Sequence, residues 1–163
     1  MTQQAKVKAS SPISMAISFL ARAISLLDRT PASVFALMMR VAIFFVFFQS
    51  ARTKVEGFMT IKASTFYLFQ NDYALPFVPY KLGAYMATFN EHVFSILILL
   101  GLATRFSSLV LLGMTTVIEV FVYPDAYVIH LTWASMLVYL IARGPGALSL
   151  DYLLKTKFQT NKG

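Results

Sequence analysis

The sequence predicts an all-α, polytopic membrane protein: a four-helix transmembrane bundle with an N-terminal amphipathic interfacial helix and a short C-terminal helix. Three observations carry this. Of 163 residues, 58% are hydrophobic and only 13% charged, against about 45–50% and about 25% in an average soluble domain. Mean hydropathy is +0.67. The apolar residues gather into four stretches, 32–50, 82–102, 106–122 and 127–142, each close to the ~20 residues that cross a bilayer as a helix.

Composition also excludes whole classes of chemistry. The chain has no Cys, which rules out a disulfide framework, thiol relays and thiolate metal sites. The net charge of +7 reads as positive-inside bias and affinity for anionic lipid, not as a nucleic-acid interface. No removable signal peptide is expected, because the apolar run after Lys6 and Lys8 is broken by Arg22 and Asp28.

Three segments follow: residues 1–30, the transmembrane domain 31–143, and a tail 144–163. Residues 1–12 are polar and expected to fray. Ile13, Ile17, Leu20, Ile24 and Leu27 then recur at helical spacing, with Ser14, Ser18, Arg22, Ser25 and Arg29 opposite them. That pattern predicts a helix lying in the interface with its arginines toward anionic headgroups. Thr30-Pro31 is a helix start, a capping hydroxyl followed by a proline suited to the first helical position. The first span, 32–50, carries Arg40. The connection 51–80 is too rich in Phe58, Met59, Phe66, Tyr67, Leu68 and Phe69 for a free loop and is expected to form short helices or a re-entrant piece over the bundle mouth.

The second span, 82–102, holds Glu91 and His92 halfway along, and Gly83 and Ala87 allow close helix approach. Tight turns at Gly101–Arg105 and Tyr123–Asp125 separate it from the third span, which holds Glu119, and the third from the fourth, which holds His130 and Trp133. Ser149 is a cap for a short helix over 150–157, with Asp151 in its first turn and lysines at its end, as the helix dipole prefers. The loops that would face the cytoplasm together with the two termini hold nine Lys and Arg, and the opposite side holds four. Both termini are therefore expected in the cytoplasm, with the protein in a bacterial inner membrane.

An ionisable group at mid-membrane costs about 2.5–3.5 kcal/mol on insertion scales, so each one calls for a partner or a task. The candidates for a polar cavity or proton relay are Arg40, Arg52, Glu56, Glu91, His92, Glu119 and His130. The simplest arrangement turns them inward, with Arg40 or Arg52 neutralising Glu91 or Glu119, and Arg52 paired with Glu56 one helical turn on. Such a pair reads either as a buried salt bridge that fixes packing or as part of a proton path or ligand cavity. His92 reads equally as a ring bonded to a neighbouring helix, and His130 as an interfacial anchor beside Trp133. His92, His130 and Glu119, with Glu91, have the chemistry of metal ligands, but no spacing requires them to converge. No haem, flavin or nucleotide motif appears, and no catalytic residue can be assigned.

Asn90-Glu91-His92, the turn Gly101-Leu102-Ala103-Thr104-Arg105, the run Gly144-Pro145-Gly146-Ala147-Leu148-Ser149-Leu150-Asp151, and Ser50-Ala51-Arg52-Thr53-Lys54 after an Arg in span one together resemble the DoxX family of small membrane proteins, over about residues 34–154. The resemblance implies four transmembrane helices. It implies function loosely: the family is named for a subunit of a thiosulfate:quinone oxidoreductase, other members are linked to redox and oxidative-stress systems, and an animal branch includes a receptor-assembly chaperone. The Phe121-Val122-Tyr123-Pro124-Asp125-Ala126 turn resembles a branch encoded beside enzymes that modify metal-binding peptides.

The expected function is therefore a membrane subunit of a redox or metal-handling system. Its outer-half polar cavity would bind a quinol-like ligand, a proton or a partner, with Glu91 as the charge that matters and quinone as the candidate cofactor. If it belongs to an enzyme, it is an accessory subunit of an oxidoreductase. The alternative is a non-catalytic assembly partner whose 51–80 loop docks a periplasmic or membrane protein, and a small transporter is a third reading. The bilayer is the expected partner in every case; nucleic acid is not, and oligomers remain open.

Overall fold

A computed structural model describes residues 12–28 and 31–160. The expectations for the polar start, for Arg29, for Thr30 as a cap and for Lys162 lie outside the described residues. Helix α1 (Pro12–Asp28) is a unit by itself. Ile13, Ile17, Leu20 and Ile24 follow one another along one face, and the Ser18 hydroxyl turns back to donate to the Met15 carbonyl at 2.8 Å.

The second unit begins at Ala32. Its long helices are α2 (Ala32–Thr53), α4 (Tyr80–Leu100), α5 (Thr104–Phe121) and α6 (Tyr127–Arg143), and all four are long and apolar enough to cross a membrane. Each packs on the next and α6 closes back on α2, giving an up-down ring of four. Its centre is apolar: Ile43, Phe47, Ile98, Leu111, Leu137 and Leu140 are fully buried. The outside is apolar as well. Phe45, Phe89, Phe106, Leu109, Leu131 and Val138 all point away from the bundle, while Arg40, Lys54, Glu91, His92 and His130 are buried. A water-soluble protein rarely exposes apolar surface on that scale; a bilayer requires it, and requires every polar group to be satisfied inside.

Between α2 and α4 the chain forms a hairpin of β1 (Val55–Glu56) and β2 (Thr60–Ile61), then α3 (Ala63–Asn71). The hairpin has no counterpart in the apolar spacing, because its pairing is made by backbone groups. A 3₁₀ turn (Pro124–Ala126) joins α5 to α6, and α7 (Leu150–Thr160) ends the described chain.

Helix ends shift from the expected bounds where polar side chains complete them. α2 runs one turn past residue 50. Its last carbonyls are taken by the Thr53 hydroxyl, which donates to Ser50 O at 2.7 Å, and by the Lys62 ammonium, which donates to Thr53 O at 2.9 Å. α4 starts at Tyr80 directly after Pro79 and stops at Gly101, which adopts φ +67°. There Leu102 N donates to Leu97 O and Gly101 N to Ile98 O, the Schellman ending that favours glycine.

The α4–α5 turn is held by two charges. Arg40 reaches it from α2: Nε donates to Ile98 O at 2.8 Å, one terminal nitrogen to Leu99 O, and the other to Leu148 O at 2.6 Å and Pro145 O at 3.3 Å. The guanidinium therefore caps the C-terminus of α4, where the dipole favours a cation, and ties the 145–148 segment to it. Asp151 accepts from Ala103 N at 2.8 Å and Thr104 N at 2.9 Å, so it caps the N-terminus of α5. It serves a neighbouring helix as well as the first turn of its own, where Ser149 Oγ accepts from Tyr152 N.

This packing makes Gly101 irreplaceable. A Cβ there would lie 2.5 Å from the Ser149 Cβ and 2.8 Å from the Arg40 Cζ. Gly101→Ala should cost about 2–5 kcal/mol, from about 1–2 for the left-handed backbone and about 1–3 for overpacking. Gly113→Ala on α5, where an added Cβ meets nothing within 4 Å, should be neutral or stabilising. Thermal unfolding of both variants in mild detergent checks the contrast.

Candidate functional site

At the end of the bundle opposite Arg40, the ring encloses a cavity of about 480 Å³, within the usual range of about 300–1,000 Å³ for small-molecule sites. Phe47, Met114, Ile118 and Trp133 make much of its wall, and α3 and the loop before α4 cover it with Phe69, Tyr73 and Leu75. Polar groups enter at few points: Ser50, Lys54 and Glu91 together, His130 from α6, and Asn90 from α4.

The Lys54–Glu91 pair is the centre of this arrangement. The ammonium lies 2.8 Å from one carboxylate oxygen of Glu91 and 3.1 Å from the other, and both side chains are almost wholly buried. Lys54 also donates to the Ser50 hydroxyl at 2.8 Å and to the Ser50 carbonyl at 3.2 Å, and that hydroxyl donates to Glu91 Oε1 at 3.1 Å. The backbone aims the side chain. Lys54 follows the last residue of α2, and its carbonyl is held by Lys62 N and by the Thr65 hydroxyl. The stem is thereby turned back into the bundle.

The counter-ion of Glu91 is thus Lys54, and not Arg40 or Arg52. Arg40 sits about 21 Å farther down α2 at 1.5 Å per residue, occupied with carbonyls. Arg52 faces outward and donates to Gly57 O and Phe58 O, both at 3.0 Å, which holds the hairpin loop. Glu56 is exposed in β1 opposite Thr60. It makes no helical pair with Arg52, because α2 ends at Thr53. Glu91 is halfway along α4 yet level with Ser50, in the last turn of α2, because α4 extends beyond α2 at this end.

Glu119 pairs across the α5–α6 seam with His130, whose Nδ1 donates to Oε2 at 2.5 Å. The His130 ring also packs on Trp133, centroids 5.0 Å apart, and Trp133 packs on Phe47. His92 stands apart. Its Nδ1 donates to Thr88 O at 2.8 Å and its ring meets the edge of Phe48, while Nε2 is buried with no partner among the described residues. Among those residues no three His, Asp or Glu side chains come together as a metal site would require; of the four metal-ligand candidates only Glu119 and His130 meet.

Two tyrosines complete the rim. The hydroxyls of Tyr73 and Tyr123 are 2.8 Å apart, with their rings edge to face. Burial, then the bond to Tyr123, pushes the Tyr73 phenol above its ordinary pKa, so it stays a neutral hydroxyl. Lys54 and Ser50 were legible to a helical wheel extended one turn, since Phe47, Ser50 and Lys54 follow one face. The tyrosine pair had no local signal, because 50 residues separate its members.

Removing either charge leaves the other buried and unpaired, which costs about 3–5 kcal/mol. Lys54→Met and Glu91→Leu should each lose stability on that order, while the double variant should recover most of it. Equilibrium unfolding of the three variants in detergent closes the double-mutant cycle.

Residues 35–124, from α2 to the start of the 3₁₀ turn, match the DoxX family. An uncharacterized protein of Haemophilus influenzae is 29% identical over 139 residues, covering 79% of this chain and 89% of that one. No solved structure matches. The matched stretch contains Arg40, Ser50, Lys54, Glu91 and Glu119, and with four apolar spans around them this chain belongs to the DoxX family of multi-pass membrane proteins.

Proposed function

We propose that this protein binds a quinone or quinol headgroup in the cavity beside Lys54 and Glu91, as the membrane subunit of a redox system. One observation carries the reading: a mostly apolar chamber inside a membrane bundle offers a strong donor, a strong acceptor and aromatic faces at one end. A flat ring that turns one of its oxygens to the Lys54–Glu91 pair fits that donor set. Lys54, exchanging one of its bonds to Ser50, would donate to that oxygen in the quinone, Glu91 would accept from it as the hydroxyl of the quinol, and Phe47 and Trp133 supply faces for the ring. A bound quinone supplies two-electron, two-proton chemistry; the chain supplies binding, orientation and groups able to hold the protons. We read its setting as the redox-linked branch encoded beside enzymes of metal-binding peptides, on the resemblance of the Phe121–Ala126 turn, and its termini as cytoplasmic, on the distribution of Lys and Arg.

A second reading, an assembly partner docking at the same end, is favoured by Phe58 and Phe77, which project fully from the hairpin tip and from the loop before α4. Phe77 does so at φ +65°, a strained backbone for a bulky residue.

Trp133 is the chain's single tryptophan and lines the cavity, so it reports on occupancy. Decylubiquinone titrated into the protein in phosphatidylcholine nanodiscs should quench Trp133 saturably. The folded Lys54→Met/Glu91→Leu variant should require at least about tenfold more, a change of about 1.4 kcal/mol. Quenching that is linear, or equal in the two proteins, overturns the proposal.

A further inference from the structure

The cavity is not closed toward the bilayer. α4 and α5 meet tightly beside their connecting turn, where the rings of Phe94 and Phe106 pack edge to face at 5.8 Å. Beyond that contact the seam changes character. Met86 and Asn90 on α4 and Val110, Gly113 and Val117 on α5 line the cavity, and none of the five is buried. Met86 is 52% and Val117 38% exposed. In a sealed wall, residues that line the interior would be covered on their outer side.

Two features of the seam point to an occupant. Gly113 leaves open space, since a Cβ there would touch nothing within 4 Å. A glycine in a helix interior costs about 1 kcal/mol relative to alanine, and here it gains no close helix approach in return. Asn90 lines the cavity and makes no side-chain hydrogen bond among the described residues. In a bilayer such a group has no water to turn to.

We propose that the α4–α5 seam is a lateral portal, with Gly113 as its threshold, that holds the isoprenoid tail of a membrane-dissolved quinone while the ring sits in the cavity. This rests on the quinone reading of the chamber. A quinone dissolved among acyl chains reaches the chamber without leaving the bilayer, and its tail lies where the seam is open. Asn90 offers a polar contact to the head as it passes inward. Tyr123, half-exposed at the loop end, also lines the cavity, and in this proposal a quinone that has no tail enters beside it. A tail-less quinone therefore does not need the seam, and a tailed one does.

The absence of Cys permits a reversible block. In the Gly113→Cys variant in phosphatidylcholine nanodiscs, Trp133 quenching is titrated with decylubiquinone and with the tail-less 2,3-dimethoxy-5-methylbenzoquinone. The titrations are made before modification with benzyl methanethiosulfonate, after it, and after reduction and removal of the reductant. The expected result, each Kd compared with that of the same variant before modification, is saturable binding of both probes at the outset, a tenfold or greater rise for decylubiquinone after modification, less than a twofold change for the tail-less quinone, and recovery on reduction. Recovery shows that the fold was intact throughout. Equal loss of both probes, or loss of neither, overturns the portal while leaving the chamber reading in place. Failure of wild-type protein to bind either quinone overturns both.

Discussion

A lysine ammonium and a glutamate carboxylate lie against each other inside a ring of apolar helices, and much of this molecule can be understood as the means of keeping them there. Neither charge could be buried alone. Together they still need their remaining protons and lone pairs met, and Ser50 meets them with both its hydroxyl and its carbonyl. The hairpin and α3 then hold the Lys54 backbone so that its stem points inward. The connection between the first two spans thus works as a brace on the charge pair and as a cover for the chamber beside it.

The two ends of the bundle treat charge differently. At the Arg40 end the cation is shared among four carbonyls, two in the last turn of α4 and two in the segment before α7, and Asp151 accepts from two amides at the start of α5. The guanidinium and the two amides there have fixed acceptors, and Gly101 leaves no room for change. That end is a clasp. At the Lys54 end Ser50, Lys54, Glu91, Asn90 and His130 line open volume, and Glu119 stands behind His130 as its partner. Planar guanidinium suits the clasp because its fork meets several acceptors at once; a flexible ammonium suits a site that must re-aim.

Membrane embedding explains why both ends are built from so few residues. Outside, the helices need only be apolar, and Phe45, Phe89, Leu109 and Leu131 meet that demand without specificity. Inside, each polar group has to find its partner within the protein. Specificity therefore concentrates in a handful of side chains, and a small chain can carry a chamber of useful size.

The residue order by itself determined that four apolar helices cross a membrane, that Arg40, Glu91, Glu119 and His130 lie within or at the edges of those helices, and that the Gly101–Arg105 and Gly144–Asp151 segments matter. Those properties follow from local hydropathy and from turn chemistry, which neighbouring residues decide among themselves. Only the tertiary structure decided that Lys54 and not an arginine answers Glu91, that Arg40 caps α4, that Asp151 caps α5, and that Tyr73 meets Tyr123. Pairing across 37 to 108 residues depends on which helix faces stand together and on how far each helix slides past its neighbour. A period of 3.6 residues reports a face, but not the axial offset that sets Glu91 level with Ser50, and that offset chose the counter-ion.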